Sequence, residues 1–273
     1  MKKKLNISNF KPKKYLGQNF LKNEEIASKI VNYLEIANND IIVEIGSGNG
    51  ELTKPILEKA RFKKLTRIIA IEKDQVLYKT LKEELKNYSN FEILNSDILK
   101  INPKKLSLKN DNYKIIGNIP YYLTGKLLQD LLENWPKPKK IILMVQEEVA
   151  LKITAHDKRS FLTNITQLLA TTKIIMKVDK KNFYPQPKIN SIVVEFFPYS
   201  KTPKNLKKIK KILRAGFSHP RKYLITNLIK ELNLNSAEII KIFEKLNLDL
   251  KIRAENLKLK DWQALTKYLD SML

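Results

Sequence analysis

The chain contains no cysteine and only two histidines, His156 and His219, far apart in sequence. Disulfide scaffolds, thiolate nucleophiles and cysteine-type zinc sites are therefore excluded, and a histidine metal cluster lacks its ligands. No metal is expected, and each histidine reads as a surface or packing residue. Glycine is scarce too, at seven residues in 273, so the cluster Gly46, Gly48 and Gly50 stands out. Long apolar runs are missing: none approaches the roughly 20 residues that cross a bilayer. The opening "MKKKLNISNFKPKKY" is basic but lacks the apolar segment of a secretion signal. A soluble, cytoplasmic protein with no membrane partner is expected, working as a monomer. The last shortage is acidic charge: 28 Asp+Glu face 52 Lys+Arg, a formal +24. A field of that sign attracts polyanions. A codon bias toward lysine is the bland alternative, but bias does not by itself remove acids locally.

What is present is an alternation. Short apolar runs, "IIVEI" from 41, "RIIAI" from 67, "FEIL" from 91, "YKIIG" from 113 and "KIILMV" from 140, are separated by helix-length segments. Those segments, such as "DQVLYKTLKEELKN", carry apolar residues at three-and-four spacing. Strands apolar throughout, divided by amphipathic helices, predict a parallel sheet covered on both faces. Helices are expected over 146–155 and 160–171. The runs "KIIMKV" at 173 and "SIVVEFF" at 191 have no helix between them and can pair antiparallel at the sheet edge. Composition shifts near Pro198, and the remainder reads as short helices without a strand. The expected division is therefore 1–200, an α/β domain, and 201–273, a small all-α domain.

The stretch "VEIGSGNGEL" places a strand, three glycines and a helix start in succession. Glycines there let the backbone approach a ligand at the carboxyl end of a strand, where open α/β sheets bind nucleotides. A dinucleotide fingerprint requires glycine at position 51, and this chain has Glu51. Pyrophosphate over that helix start would face a carboxylate, so the loop suits a ligand without phosphates. Glu72 closes the second strand, where a carboxylate can accept both ribose hydroxyls. Asp97 follows the third, where it can accept from an adenine amino group. Together these describe an adenosine pocket with no phosphate cradle, as S-adenosyl-L-methionine requires.

The fourth strand ends in Asn118-Ile119-Pro120-Tyr121 beside that pocket. An asparagine amide can engage an adenine amino edge. The Ile119 carbonyl can accept a second amino hydrogen, and Pro120 fixes the turn that points it there. Tyr121 offers a flat face for base stacking, worth roughly 1–3 kcal/mol, which offsets much of the cost of extracting a base.

With these residues the chain resembles the ribosomal RNA adenine dimethyltransferase family (KsgA-type), a class I methyltransferase family with a Rossmann-like sheet. The motifs are "KKYLGQNFL" (13–21), "VEIGSGNGELT" (43–53), "IEKD" (71–74), "NSDIL" (95–99), "GNIPYYLTGKLL" (117–128), "NFYPQPKINSIVVEF" (182–196) and "GFSHPRKYLITNL" (216–228). The resemblance runs from about Lys13 to about Asn227 and implies specific roles. Asn19 and Leu21, in an N-terminal lid, would contact S-adenosyl-L-methionine, with Gly46 and Gly48 at the loop. Glu72 would hold the ribose and Asp97 the adenine. Asn118 would bind the target amine, and Tyr121 with Phe183 would sandwich the flipped base. The implied substrate is a pair of adjacent adenosines in a hairpin loop near the 3′ end of small-subunit ribosomal RNA. Free RNA or the assembling 30S particle would be the partner. The chain departs from the family pattern at Tyr122, Thr124 and Pro220, and in the tract 155–170.

Between Phe196 and Lys230 stand ten basic residues and no acid. Lys207, Lys208, Lys210, Lys211, Arg214, Arg221 and Lys222 are the expected phosphate contacts. Lys2, Lys3, Lys4, Lys11, Lys13 and Lys14 form a second basic arm. Rival readings remain a large-subunit adenine methyltransferase of the macrolide-resistance type, a non-catalytic assembly or transcription factor on the same fold, and a nicotinamide enzyme. RNA affinity is expected to fall steeply with added salt; a flat dependence in a filter-binding titration would mark the charge as purely compositional.

Overall fold

Strands that are apolar at every position can be buried only if both faces of their sheet are covered, and that is how the central segments fold. The computed structural model describes residues 11–270; Lys2, Lys3 and Lys4 of the basic arm lie outside them. Among the described residues the strands are β1 (Phe20–Leu21), β2 (Ile41–Ile45), β3 (Arg67–Glu72), β4 (Phe91–Asn95), β5 (Tyr113–Asn118), β6 (Lys140–Gln146), β7 (Ala170–Val178), β8 (Phe183–Tyr184) and β9 (Ser191–Pro198). The first helices are α1 (Glu24–Asn32), α2 (Thr53–Ala60), α3 (Gln75–Glu84), α4 (Thr124–Glu133) and α5 (Glu147–Ile153). They are followed by α6 (Phe161–Leu169), α7 (Leu206–Gly216), α8 (Leu224–Leu232), α9 (Ser236–Lys245) and α10 (Leu259–Leu269).

Seven strands form one sheet in the order β4-β3-β2-β5-β6-β9-β7. β2 runs parallel to both β3 and β5, β3 to β4, and β5 to β6, while β9 is antiparallel to β6. The expected mostly parallel sheet is therefore present, and its last strand, β9, is antiparallel to β6 and lies between β6 and β7. Strand order reverses between β2 and β5, which opens a crevice at their carboxyl ends. The glycine loop follows β2 and the Asn118 corner ends β5, so both flank that crevice.

The charge that Lys114 brings into the core is matched. The buried Lys114 ammonium at the start of β5 donates to Asp40 Oδ2 at 2.8 Å and to the carbonyls of Leu34 and Glu35 at 2.9 and 2.8 Å. Three acceptors in hydrogen-bond geometry offset the desolvation of such a group. α3 starts at Asp74, whose Oδ1 accepts the Val76 N–H at 2.9 Å, satisfying a helix-terminal donor.

A two-stranded sheet escapes the sequence reading. β1 pairs antiparallel with β8, Phe20 opposite Tyr184 and Leu21 opposite Phe183. Two residues are too few to show a period of two, and their partners lie far along the chain.

The chain forms two compact units, one running to Ala150 and resuming over Thr172–Ser200, the other comprising Leu151–Thr171 and the chain from Lys201 on. Within the second unit α6 packs on α7 and α10, so the tract 151–171 groups with the helical tail rather than with the sequence neighbours on either side. Ile209, Ile212 and Leu213 turn inward on α7 while Lys207, Lys208, Lys211 and Arg214 face out. Phe217 stacks on the buried Trp262 with ring centroids 5.6 Å apart. Asn227 Nδ2 donates to the carbonyls of Gly216 and His219 at 2.8 and 3.0 Å, fixing the turn between α7 and α8.

Gly117 is the closest backbone approach near the crevice: a Cβ there would lie 2.7 Å from the Ile45 carbonyl oxygen. Gly117→Ala is expected to push β2 from β5, lower stability by about 1–3 kcal/mol, and weaken binding of any ligand in the crevice. Urea denaturation alongside ligand calorimetry checks both.

Candidate functional site

The site grows from four strand ends. After β2 the chain turns through Gly46 and Gly48 at φ of +73° and +57°, where an L side chain is strained. Their lack of a Cβ also keeps the loop open: one on Gly48 would sit 2.9 Å from Glu51 Oε2. The Gly48 N–H donates to Glu72 Oε2 at 2.9 Å, and the Asp74 N–H donates to Glu72 Oε1 at 2.7 Å. Glu72 is thus held by one donor on each oxygen and retains a lone pair on each, enough to accept two hydroxyls. Burial raises its pKa, against the pull of those N–H donors.

Asp97 follows β4. Its Oδ1 accepts the Leu99 N–H at 3.1 Å and its Oδ2 pairs with the Lys73 ammonium at 3.0 Å. Burial works to raise its pKa, but the Lys73 bond and the Leu99 N–H outweigh it and hold Asp97 below its ordinary range. The carboxylate is therefore an ionised acceptor at the third strand end.

At the end of β5 the Asn118 side chain is oriented. Its Nδ2 donates to the Asn19 carbonyl at 2.9 Å, and because only the NH₂ can donate to a carbonyl, Oδ1 is left as the acceptor. Ile119 is buried, Tyr121 is half-buried, and the Tyr121 hydroxyl shares a hydrogen bond of 3.1 Å with Ser191 Oγ. A flat ring anchored at its hydroxyl is restrained in orientation.

One cavity joins these groups. It is lined by Asn19, Leu21, Gly46, Gly48, Glu72, Asp97, Asn118, Ile119, Pro120 and Tyr121, and also by residues the sequence reading did not nominate: Gln18, Glu44, Ser47, Glu51, Lys73 and Tyr122. Phe183 does not line it. That side chain is 1% exposed within the hydrophobic core that also holds Leu21 and Ile30, because the β1–β8 pairing turns it inward, while Tyr184 beside it is exposed.

The floor of the cavity is acidic. Glu44 accepts from Thr53 Oγ1 at 2.6 Å through Oε2, but its Oε1 and the Ser47 Oγ are buried without a hydrogen-bond partner. Burial pushes the Glu44 carboxyl up to about 8 and that of Glu51 up to about 7. Orphaned acceptors beside a second carboxylate suit an ammonium-bearing ligand, because buried polar atoms are costly when left unmatched. S-adenosyl-L-methionine carries an ammonium at one end and a ribosyl adenine at the other, and the acids present fit both ends. Among the described residues no cluster of three or more His, Cys, Asp or Glu side chains could hold a metal ion, and no helix is long and apolar enough to cross a membrane.

Comparison with known proteins shows the family of the chain as a whole. The model of a family described as ribosomal RNA adenine dimethylase matches residues 9–271. The chain belongs to that family. A ribosomal RNA small subunit methyltransferase A of Clostridium botulinum (strain Okra / Type B1) is 36% identical over 275 residues, covering 98% of each chain. The protein of that name from Ureaplasma urealyticum is 35% identical over 285 residues, covering 99% of this chain and 96% of its own. Among solved structures, a dimethyladenosine transferase from Plasmodium falciparum superposes with a TM-score of 0.76 at 24% identity, over 92% of this chain and 98% of that one. The 23S rRNA methyltransferase ErmE does so at 0.69 and 23% identity, over 92% and 99%. At that identity the two share the fold.

In this dimethylase-family chain the basic tract is partly matched by acids from elsewhere in the sequence. Lys207, Lys208, Lys211, Arg214, Arg221 and Lys222 are exposed and Lys210 is half-buried. Lys208 pairs with Asp270, Arg214 lies over the Phe161 ring at 5.9 Å, and Glu231 joins Lys207, Lys211 and Arg214 around one notch. An acid-free stretch of sequence is therefore not an acid-free surface.

The raised Glu44 gives a pH signature. A carboxyl whose folded pKa exceeds its unfolded value contributes stability that is fully present below the unfolded pKa and lost as pH rises through the folded one. Removing that ionisation with Glu44→Gln is expected to stabilise the ligand-free protein at pH 8 by on the order of 1–3 kcal/mol and to change little at pH 5. Thermal unfolding across that pH range measures it.

Proposed function

We propose that this protein transfers methyl groups from S-adenosyl-L-methionine to N6 of two adjacent adenosines in the 3′-terminal hairpin loop of small-subunit (16S) ribosomal RNA, twice each, during subunit biogenesis in the cytoplasm. The observation that carries the reading is the Asn118 amide in the cavity lining, its Nδ2 held by the Asn19 carbonyl so that Oδ1 is left as the acceptor. The family membership and the name borne by the bacterial relatives support the choice of RNA.

Glu72 would hold the ribose hydroxyls, Asp97 the adenine amino group, and Glu44 with Ser47 and Glu51 the methionine ammonium. When bound, the cofactor supplies an electrophilic methyl group on a sulfonium. An adenine amino nitrogen is a poor nucleophile because its lone pair is delocalised into the ring. Asn118 Oδ1 and the Ile119 carbonyl accept its two hydrogens and favour a pyramidal nitrogen with a localised lone pair. Positioning of this kind supplies most of the rate. The proton leaves once the nitrogen is alkylated and strongly acidic, so no side chain is assigned as base.

Tyr121 provides the first stacking face. Phe183 provides the second only by leaving the core, which exposes an aromatic ring at a cost of about 1.5–3 kcal/mol, a sum that base stacking can offset. In the second methylation one amino hydrogen is gone, and stacking carries more of the alignment. Exposed cations of α7 and of the turn before α8 contact RNA phosphates. The large-subunit alternative differs in the nucleotide modified.

The deciding experiment incubates the protein with labelled cofactor and unmethylated small ribosomal subunits and maps the modified adenosines; modification confined to large-subunit RNA would overturn the assignment. Asn118→Ala is expected to lower transfer at least 1,000-fold, about 4 kcal/mol, while cofactor affinity measured by calorimetry stays within about tenfold. Replacing Lys207, Lys211 or Arg214 by alanine should each reduce the salt slope of RNA binding by about 1.

A further inference from the structure

We propose that Lys13 and Gln18 are positioning residues: they latch the segment 13–21 to Asp74, and through the Asn19 carbonyl this strap sets the orientation of the Asn118 amide. The inference rests on the reading of Asn118 given above and adds what holds that side chain in place.

The contacts form a closed circuit. The Lys13 ammonium lies 2.9 Å from Asp74 Oδ2. Gln18 Nε2 donates to the same oxygen at 3.2 Å, and Gln18 Oε1 accepts the Lys13 N–H at 2.7 Å. Residues 13 to 18 are therefore cinched on themselves and tied to one carboxylate. Between them Gly17 adopts a φ of +64°, and a Cβ there would sit 3.1 Å from Pro120 Cβ and 3.4 Å from the Tyr122 ring. The strap thus lies directly on the corner that carries the target-binding groups. One residue beyond Gln18, the Asn19 carbonyl receives Asn118 Nδ2 at 2.9 Å. Turning that amide over would set oxygen against oxygen, so the strap decides which amide atom meets the Asn19 carbonyl and leaves Oδ1 as the acceptor.

Asp74 is a firm anchor. Its side chain is fully buried, at 0% exposure against 36% for Lys13. Its Oδ1 caps α3, and its own N–H holds Glu72 Oε1 at 2.7 Å. One residue therefore touches the strap, the ribose carboxylate and a helix start. Burial works to raise its pKa, but Lys13 and the N–H donors of Val76 and Gln18 hold Asp74 below its ordinary range, in keeping with a permanently charged post. An exposed ion pair contributes little; this one differs in having one partner wholly inside.

The consequence is thermodynamic coupling. Leu16 to Leu21 of the strap line the cavity, so a ligand that favours the closed strap also favours the ordered Asn118 acceptor, and the reverse holds by linkage.

The test uses the full chain with Lys13→Met, Gln18→Ala and the pair combined, leaving Asp74 intact because it caps α3. Three quantities are read: the Asn118 side-chain ¹⁵N amide resonance, affinity for S-adenosylhomocysteine by calorimetry, and the single-turnover methylation rate at saturating cofactor. In the double variant the Asn118 resonance is expected to shift and the rate to fall about 10- to 100-fold, with Lys13→Arg close to the parent. Should the double variant unfold, Lys13→Met alone carries the test, since Gln18 still reaches Asp74. An unmoved Asn118 resonance with an unchanged rate overturns the proposal. So does a defect that saturating cofactor fully restores, because the strap would then serve cofactor binding only. The resonance needs no RNA: if it shifts although the parent protein leaves ribosomal RNA unmodified, the latch stands and the assigned reaction falls.

Discussion

The parallel pairing of β2 with β3 on one side and β5 on the other governs where everything else can stand. In that register Ile45 lies beside Ile71 and Gly117, so the glycine loop, Glu72 and Asn118 leave the sheet at one level. A slip by one residue would turn each strand's side chains to the opposite face. The strands are buried on both faces, which leaves little freedom for such a slip. The close approach at Gly117 shows how tightly the two central strands are drawn together at the crevice.

On that platform the groups of the cavity differ in how they are held. Glu72 is fixed by backbone N–H donors from the loop and from the start of α3, so its position follows directly from the sheet. Asp97 depends on a lysine one strand away. Asn118 depends on a carbonyl 99 residues earlier, and is the group whose orientation the sheet leaves open. Glu72 is placed by the sheet and the turns that follow it, whereas the Asn118 amide is oriented by a separate segment.

The strand-and-helix alternation, the glycine loop and the acids at successive strand ends could be read from the chain because each is local: a run of apolar residues, a turn that needs glycine, a carboxylate next to a strand. The β1–β8 pair could not, since each strand is two residues long and their partnership spans the whole α/β unit. For the same reason the reading of Phe183 as a cavity-facing jaw did not anticipate its burial, which comes from its place opposite Leu21. The basic tract from Lys201 to Lys230 looked free of acids, yet Asp270 and Glu231 come to it from outside the tract. Glu44 inside "VEIG" is not marked in the sequence, because a lone carboxyl in a strand carries no sign of being orphaned until its neighbours are in place.

Sequence by itself determined the class of the sheet, the ends of its strands and the chemistry available at those ends, because hydrophobic periodicity and turn chemistry act over a few residues. Tertiary structure alone decided which amide atom of Asn118 meets the Asn19 carbonyl, that Asp74 links the strap to the Glu72 carboxylate, and that Phe183 lies inside the core. Each of these depends on hydrogen bonds or packing between residues tens to more than a hundred positions apart, and such partners are chosen by the folded register rather than by neighbouring residues.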